Sequence, residues 1–200
     1  MSSELQRARP LERVARAISW IGHPLIFVTV SIAIVVITQL SSRVALPILA
    51  TLLFSVIVPT AILLVAGVRS GRWRDADVSV HEERKRFYPW AIAISTLGTL
   101  ATWVIRAPSF ILRGGLVTLG LFVVAGVINS RLKISLHTLF AAYCTIILFR
   151  IGTGCGVVAL FLAVLVFWSR IFLGRHTMAE AVAGCGLGLG GGIIAAWWPS

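Results

Sequence analysis

The stretch FLAVLVFWSRIFLGRHTMAE, residues 161–180, carries an unbroken apolar run straight into two arginines, a histidine and a glutamate. Stranding such groups in hydrocarbon costs several kcal/mol each unless they are paired or hydrated. The stretch therefore reads as the end of a membrane helix followed by a polar cluster with a task. The whole chain agrees with that reading. Its 200 residues are 58% hydrophobic and only 12% charged, with a mean hydropathy of +0.96, far outside the soluble globular range.

A helix needs roughly 20 apolar residues to cross a bilayer. Apolar runs at 17–40, 44–68, 89–105, 109–128, 136–149, 154–168 and 178–198 give seven spans, the third, fifth and sixth of them short. The expected fold is all-α, a polytopic membrane bundle of six or seven transmembrane helices. Residues 17–200 form one domain after a lead, 1–16, that is amphipathic or disordered. The first run is too long, and too closely followed by a second, for a cleaved signal.

A formal charge of +11 raises the question of nucleic acid. The basic residues, however, sit in short loops between spans, with no aromatic-interleaved basic domain, so an anionic lipid surface or substrate is the expected partner and nucleic acid is not. Arg43, Arg106, Arg113 and Arg150 fall on one side of the seven-span topology and the other 14 of the 18 Lys and Arg on the opposite side. The positive-inside rule makes the richer side cytoplasmic, in a plasma or bacterial inner membrane. Cys144, Cys155 and Cys185 lie in or at apolar segments without C-x-x-C spacing, so they read as core residues, with no zinc site or disulfide framework. The run GCGLGLGGG, residues 184–192, places small residues at helical spacings and reads as close helix packing.

Three polar clusters share the richer side: HEERKRFYP (81–89), KISLHT (133–138) and SRIFLGRHTMAE (169–180). Two spans separate each from the next, so an even number of crossings returns all three to one surface. Arg86, Arg84 or Lys85, and Arg170 supply cations suited to a phosphate's outer oxygens. Ser135 and the first amides of its helix add neutral donors. His176 and His137 offer a nucleophile and a proton donor. Glu180, four residues after His176, shares a helix face with it and can hold the far imidazole nitrogen. His23, followed by Pro24, reads as structural, and His81 as a second-tier candidate.

The third cluster resembles a signature of the type 2 phosphatidic acid phosphatase superfamily, lipid phosphatases related to vanadium haloperoxidases: Ser-Arg, five residues, His, three residues, Asp. Ser169, Arg170 and His176 match, and Glu180 replaces the Asp. ISLHT keeps the Ser135 and His137 of a Pro-Ser-Gly-His signature, with Ile134 and Leu136 at the Pro and Gly positions. Arg86 before Pro89 is similar to divergent forms of the first signature. The resemblance implies an all-helical, metal- and cofactor-independent phosphatase. His176 attacks phosphorus to form a phosphohistidine, His137 protonates the leaving alkoxide, and Arg86, Arg170 and Ser135 hold the phosphate; Arg84, Lys85 and Ser169 are further candidate phosphate-binding residues. The expected substrate is a lipid-linked phosphate: a polyprenyl phosphate or diphosphate, a prenyl-linked sugar phosphate, or a phosphatidate-like lipid. The alternatives are a catalytically weak lipid-phosphate binder that retains the fold and a small transporter.

Overall fold

The computed structural model describes residues 2–197, with side chains from Pro10 onward. Met1, the end of the last expected span at 198 and the side chains of Glu4, Arg7 and Arg9 lie outside the described residues. The elements are α1 (Ser2–Ile21), α2 (Pro24–Gln39), α3 (Ser42–Leu52), a π-helical turn (Leu53–Ile57), α4 (Val58–Arg69), α5 (His81–Val104), α6 (Ser109–Ile128), α7 (Leu136–Ile151), α8 (Thr153–Phe172) and α9 (Met178–Trp197). The fold is all-α, with no strand among the described residues.

Among the described residues four helices are long and apolar enough to cross a membrane: Ser42–Arg69, Ser109–Ile128, Thr153–Phe172 and Met178–Trp197. The pair α1 and α2, bent by 51° at Gly22–His23, makes a fifth if it counts as one span. Length and composition alone thus fall short of the expected six or seven. The 16 residues of α7 rise about 24 Å at 1.5 Å each, less than the roughly 30 Å hydrocarbon core. α5 begins with a charged turn, HEERKR. Lipid-facing surfaces are evident nonetheless, since Phe54, Ile62, Val104, Val127 and Phe161 all point outward.

The position of α7 explains its sequence. Every residue from Leu136 to Thr145 is buried, because α7 packs against α2, α8 and α9. The closest of these contacts depends on glycine. At Gly188 of α9 a Cβ would lie 2.0 Å from the Leu139 carbonyl oxygen, and at Gly184 it would lie 2.5 Å from that of Ser135. Any side chain there would push the helices apart, so the glycine spacing serves packing. α1 follows the same logic with Ala15, Ser19 and Gly22, buried at i, i+4 and i+7, and the Gly22 site abuts Val166 of α8. The π turn precedes Pro59, which lacks an N–H and crowds the carbonyl four residues back, so a wider turn accommodates it.

Chain alternation brings the N-termini of α2, α5, α7 and α9 to one end of the bundle. Helix N-termini carry partial positive charge and free amides. The link between α4 and α5, residues 70–80, lies across this end, anchored by buried Trp73 where Gly67 leaves room for the indole. Toward the other end α2, α5, α6 and α7 enclose a cavity of about 460 Å³, mostly apolar, that reaches Gln39, Arg113 and Arg150.

Candidate active site

His176 sits in a turn fixed from both sides. α8 closes with a Schellman motif: the Gly174 amide donates to Ile171 O (2.9 Å) and the Arg175 amide to Arg170 O (3.1 Å), with Gly174 at φ +62° in the left-handed region that glycine enters without strain. α9 opens with a capping box, in which Glu180 N donates to Thr177 Oγ1 (3.3 Å) and Thr177 N donates to Glu180 Oε2 (3.1 Å). Two residues, Arg175 and His176, are left between the caps. Glu180 Oε2 also accepts from His176 Nδ1 at 2.9 Å. The expected pairing is present, but its cause differs from a shared helix face, because His176 precedes the helix and the capping carboxylate reaches back to it.

That contact sets the tautomer. With the proton on Nδ1, Nε2 keeps its lone pair, and Nε2 is buried with no hydrogen-bond partner among the described residues. Burial, with Arg84, Arg170 and Lys133 nearby, pushes the His176 pKa down to about 2, so the imidazole is neutral at ordinary pH. Burial likewise lowers Lys133, whose Nζ donates to Arg175 O at 3.0 Å.

Arg170 and Arg84 are almost fully buried. Arg170 Nη1 donates to Ser19 Oγ (2.6 Å) and Asp77 Oδ2 (2.7 Å), while its Nε and Nη2 have no partner among the described residues. Arg84 donates through Nε to Val78 O at 2.9 Å and through Nη1 to Ile134 O. Ser135 caps α7, its Oγ accepting from the Thr138 amide at 3.4 Å, and its own amide donates to Glu180 O at 3.2 Å, tying the α7 and α9 N-termini together. His137 Nε2 is buried without a hydrogen bond among the described residues and lies 3.6 Å from Asp77 Oδ1.

The three sequence clusters therefore meet, with His176, Glu180, Arg170, Ser135, His137 and Arg84 at one end of the bundle. Lys85 and Arg86 do not join them: both are exposed, and Lys85 pairs with Glu82 at 2.9 Å. The phase of α5 explains this, since Arg84, Phe87, Tyr88, Ala91 and Ser95 form its buried stripe and Arg86 lies off it. Ser169 is buried, and its hydroxyl donates to Val166 O (2.8 Å) inside its own helix. His81 contacts Asn129 O through Nε2.

Two residues at the centre were not anticipated. Asp77 lies between Arg170, His137 and His23, and His23, expected to be structural, meets His137 edge-on with ring centroids 5.4 Å apart. His23 also caps α2, its Nδ1 accepting from Leu25 N at 3.2 Å. Ligand atoms of His23, Asp77 and His137 lie within 4.8 Å of one another, a metal-like spacing. The donor set does not fit a cation. A neutral His23 whose Nδ1 accepts an N–H carries its proton on Nε2, the atom facing Asp77, and Arg170 already neutralises the carboxylate.

Compared with known protein families, curated proteins and solved structures, the chain matches none.

Proposed function

We propose that the protein is a metal-independent membrane phosphatase that hydrolyses a lipid-linked phosphate through a phosphohistidine. One observation carries the reading: Nε2 of His176 and of His137 and Nε and Nη2 of Arg170, all buried and without partners among the described residues, gather where four helix N-termini meet. The two Arg170 nitrogens, beside helix N-termini, are suited to an anion's oxygens, and the His176 lone pair to attack on its central atom. Neutral His176, held at Nδ1 by Glu180, attacks phosphorus through Nε2. As the N–P bond forms the P–O bond to the lipid breaks, and His137, protonated once the phosphate dianion lies beside it, gives its Nε2 proton to the leaving alkoxide. Water then attacks the phosphohistidine, His137 takes a proton from it, and inorganic phosphate leaves. Arg170, Arg84, Ser135 and the helix amides hold the phosphoryl oxygens, and Glu180 stabilises the imidazolium formed at His176.

In this reading α5 and α7 also cross the bilayer, giving seven spans with the bent pair α1 and α2. The site faces the cytoplasm, where the basic excess belongs. The substrate's head enters the polar end and its chain stays in lipid, as a polyprenyl phosphate or diphosphate, a prenyl-linked sugar phosphate or a phosphatidate would allow.

The test is phosphate release from a panel of these lipids by purified protein in detergent containing a chelator. Hydrolysis of at least one is expected. With a nitrophenyl phosphate, whose leaving group needs little protonation, the first-turnover release of nitrophenol should return in His137→Ala far more than in His176→Ala. Glu180→Gln should lose roughly 10- to 1,000-fold. Failure on every lipid, or equal rescue of both histidine variants, rejects the proposal.

A further inference from the structure

The Asp77 carboxylate stands where a phosphate should. It accepts from Arg170 Nη1 at 2.7 Å, beside the two nitrogens of the same guanidinium left for a ligand, and lies 3.6 Å from His137 Nε2, the atom that a leaving oxygen would use. The surrounding segment treats the other cations the same way. Asp75 accepts from Arg175 at 2.9 Å, Val78 O from Arg84 Nε at 2.9 Å, and Ser79 O from Lys133 Nζ at 3.5 Å. Four cations of the basic end are thus answered by residues 75–79 of a single link.

A phosphate dianion cannot simply be added to this arrangement. It would sit against the Asp77 carboxylate in a partly buried site, where like charges repel strongly, on a guanidinium whose charge Asp77 already answers. Asp77 has a way out, being about one-fifth exposed. The link is not held down by its own backbone preference either. Val78 has φ +47°, an unfavourable conformation for a β-branched residue, so its closed form depends on the polar contacts just described and on the buried Trp73 and Val78 side chains.

We infer that Asp77 is a built-in anion occupying the phosphate position of the basic cluster, so that a phosphate group binds by displacing Asp77 from Arg170 and releasing residues 75–80 from the site. Asp77 thereby sets how strongly charged a headgroup must be to enter, since a weak anion does not compete with a carboxylate already in place. The inference takes phosphate as the ligand from the function proposed above, but it does not require turnover.

The experiment titrates inorganic phosphate into the full-length protein in detergent by calorimetry. Asp77→Asn keeps the shape and an acceptor for Arg170 while removing the charge, and it should bind phosphate about tenfold or more tightly than wild type. In wild-type protein, phosphate should accelerate amide hydrogen exchange across residues 75–80 as their contacts release, a measurement that decides alone if Asp77→Asn fails to fold. Equal or weaker phosphate binding by Asp77→Asn, or exchange that is unchanged or slowed, overturns the inference. Tighter binding by Asp77→Asn in a protein that hydrolyses no lipid phosphate leaves the inference standing and rejects the phosphatase. Hydrolysis by wild type with unchanged affinity in Asp77→Asn does the reverse.

Discussion

The two ends of the bundle both carry arginine, and they use it differently. At the end where the α2, α5, α7 and α9 N-termini meet, Arg84 and Arg170 are buried and bonded to carbonyls, a hydroxyl and a carboxylate. At the other end Arg43, Arg106 and Arg150 are exposed, Arg150 at the rim of an apolar cavity. Solvated cations beside a membrane need no further reason. Buried ones do, Arg170 above all, which keeps two nitrogens without a partner among the described residues, because desolvation is costly unless a ligand or a counter-charge repays it. The contrast separates charge that answers to topology from charge that answers to chemistry.

Paired substitutions break or sharpen this contrast, and the largest effect is expected at Arg170. Arg170→Ala strips Asp77 and Ser19 of their donor and should destabilise the protein by about 3 kcal/mol or more. Arg150→Ala, at an exposed site, should stay within about 0.5 kcal/mol. Thermal unfolding in one detergent checks both, and equal losses would erase the distinction between the ends.

A smaller effect follows from His176. Its folded pKa is lowered to about 2, against about 6.5 in the unfolded chain. Between those values the unfolded state binds the extra proton, so stability falls as pH drops below about 6.5, by at most about 1.4 kcal/mol per pH unit for this group. The unfolding temperature of wild type should decline from pH 6.5 toward pH 5 more steeply than that of His176→Gln. Parallel curves would mean that His176 is not held neutral by its surroundings. Asp75 titrates outside this window. Burial works to raise its pKa, but hydrogen bonds from the Ser79 hydroxyl and amide and the Arg175 charge outweigh it and hold the group below its usual value.

Much of the site was legible in the sequence wherever its cause is local. Gly174, Thr177 and Glu180 spell a helix stop and a capping box around His176, a stronger signal than the four-residue spacing of His176 and Glu180 alone. The buried phase of α5, running from Arg84 through Phe87 and Tyr88 to Ala91, would have favoured Arg84 over Arg86 as the inward cation. The glycines of α9 were readable as packing because their period is helical. Asp77 and His23 were not readable. They reach His137 from 60 and 114 residues away in the chain, and neither lies in a periodic pattern that marks it. The expected six or seven spans exceed the four or five that length and composition support, because apolar runs in the sequence do not separate a lipid-facing helix from one such as α7, which is 16 residues long and enclosed by its neighbours.

The central claim is that His176 Nε2 is a nucleophile, and the most direct measurement is mass spectrometry of protein quenched at alkaline pH during turnover of a lipid phosphate. The account predicts a phosphoryl group on His176, absent from His176→Ala and accumulating in His137→Ala when an activated aryl phosphate is the substrate. A phosphoryl group on His137, or sustained turnover by His176→Ala, would contradict it.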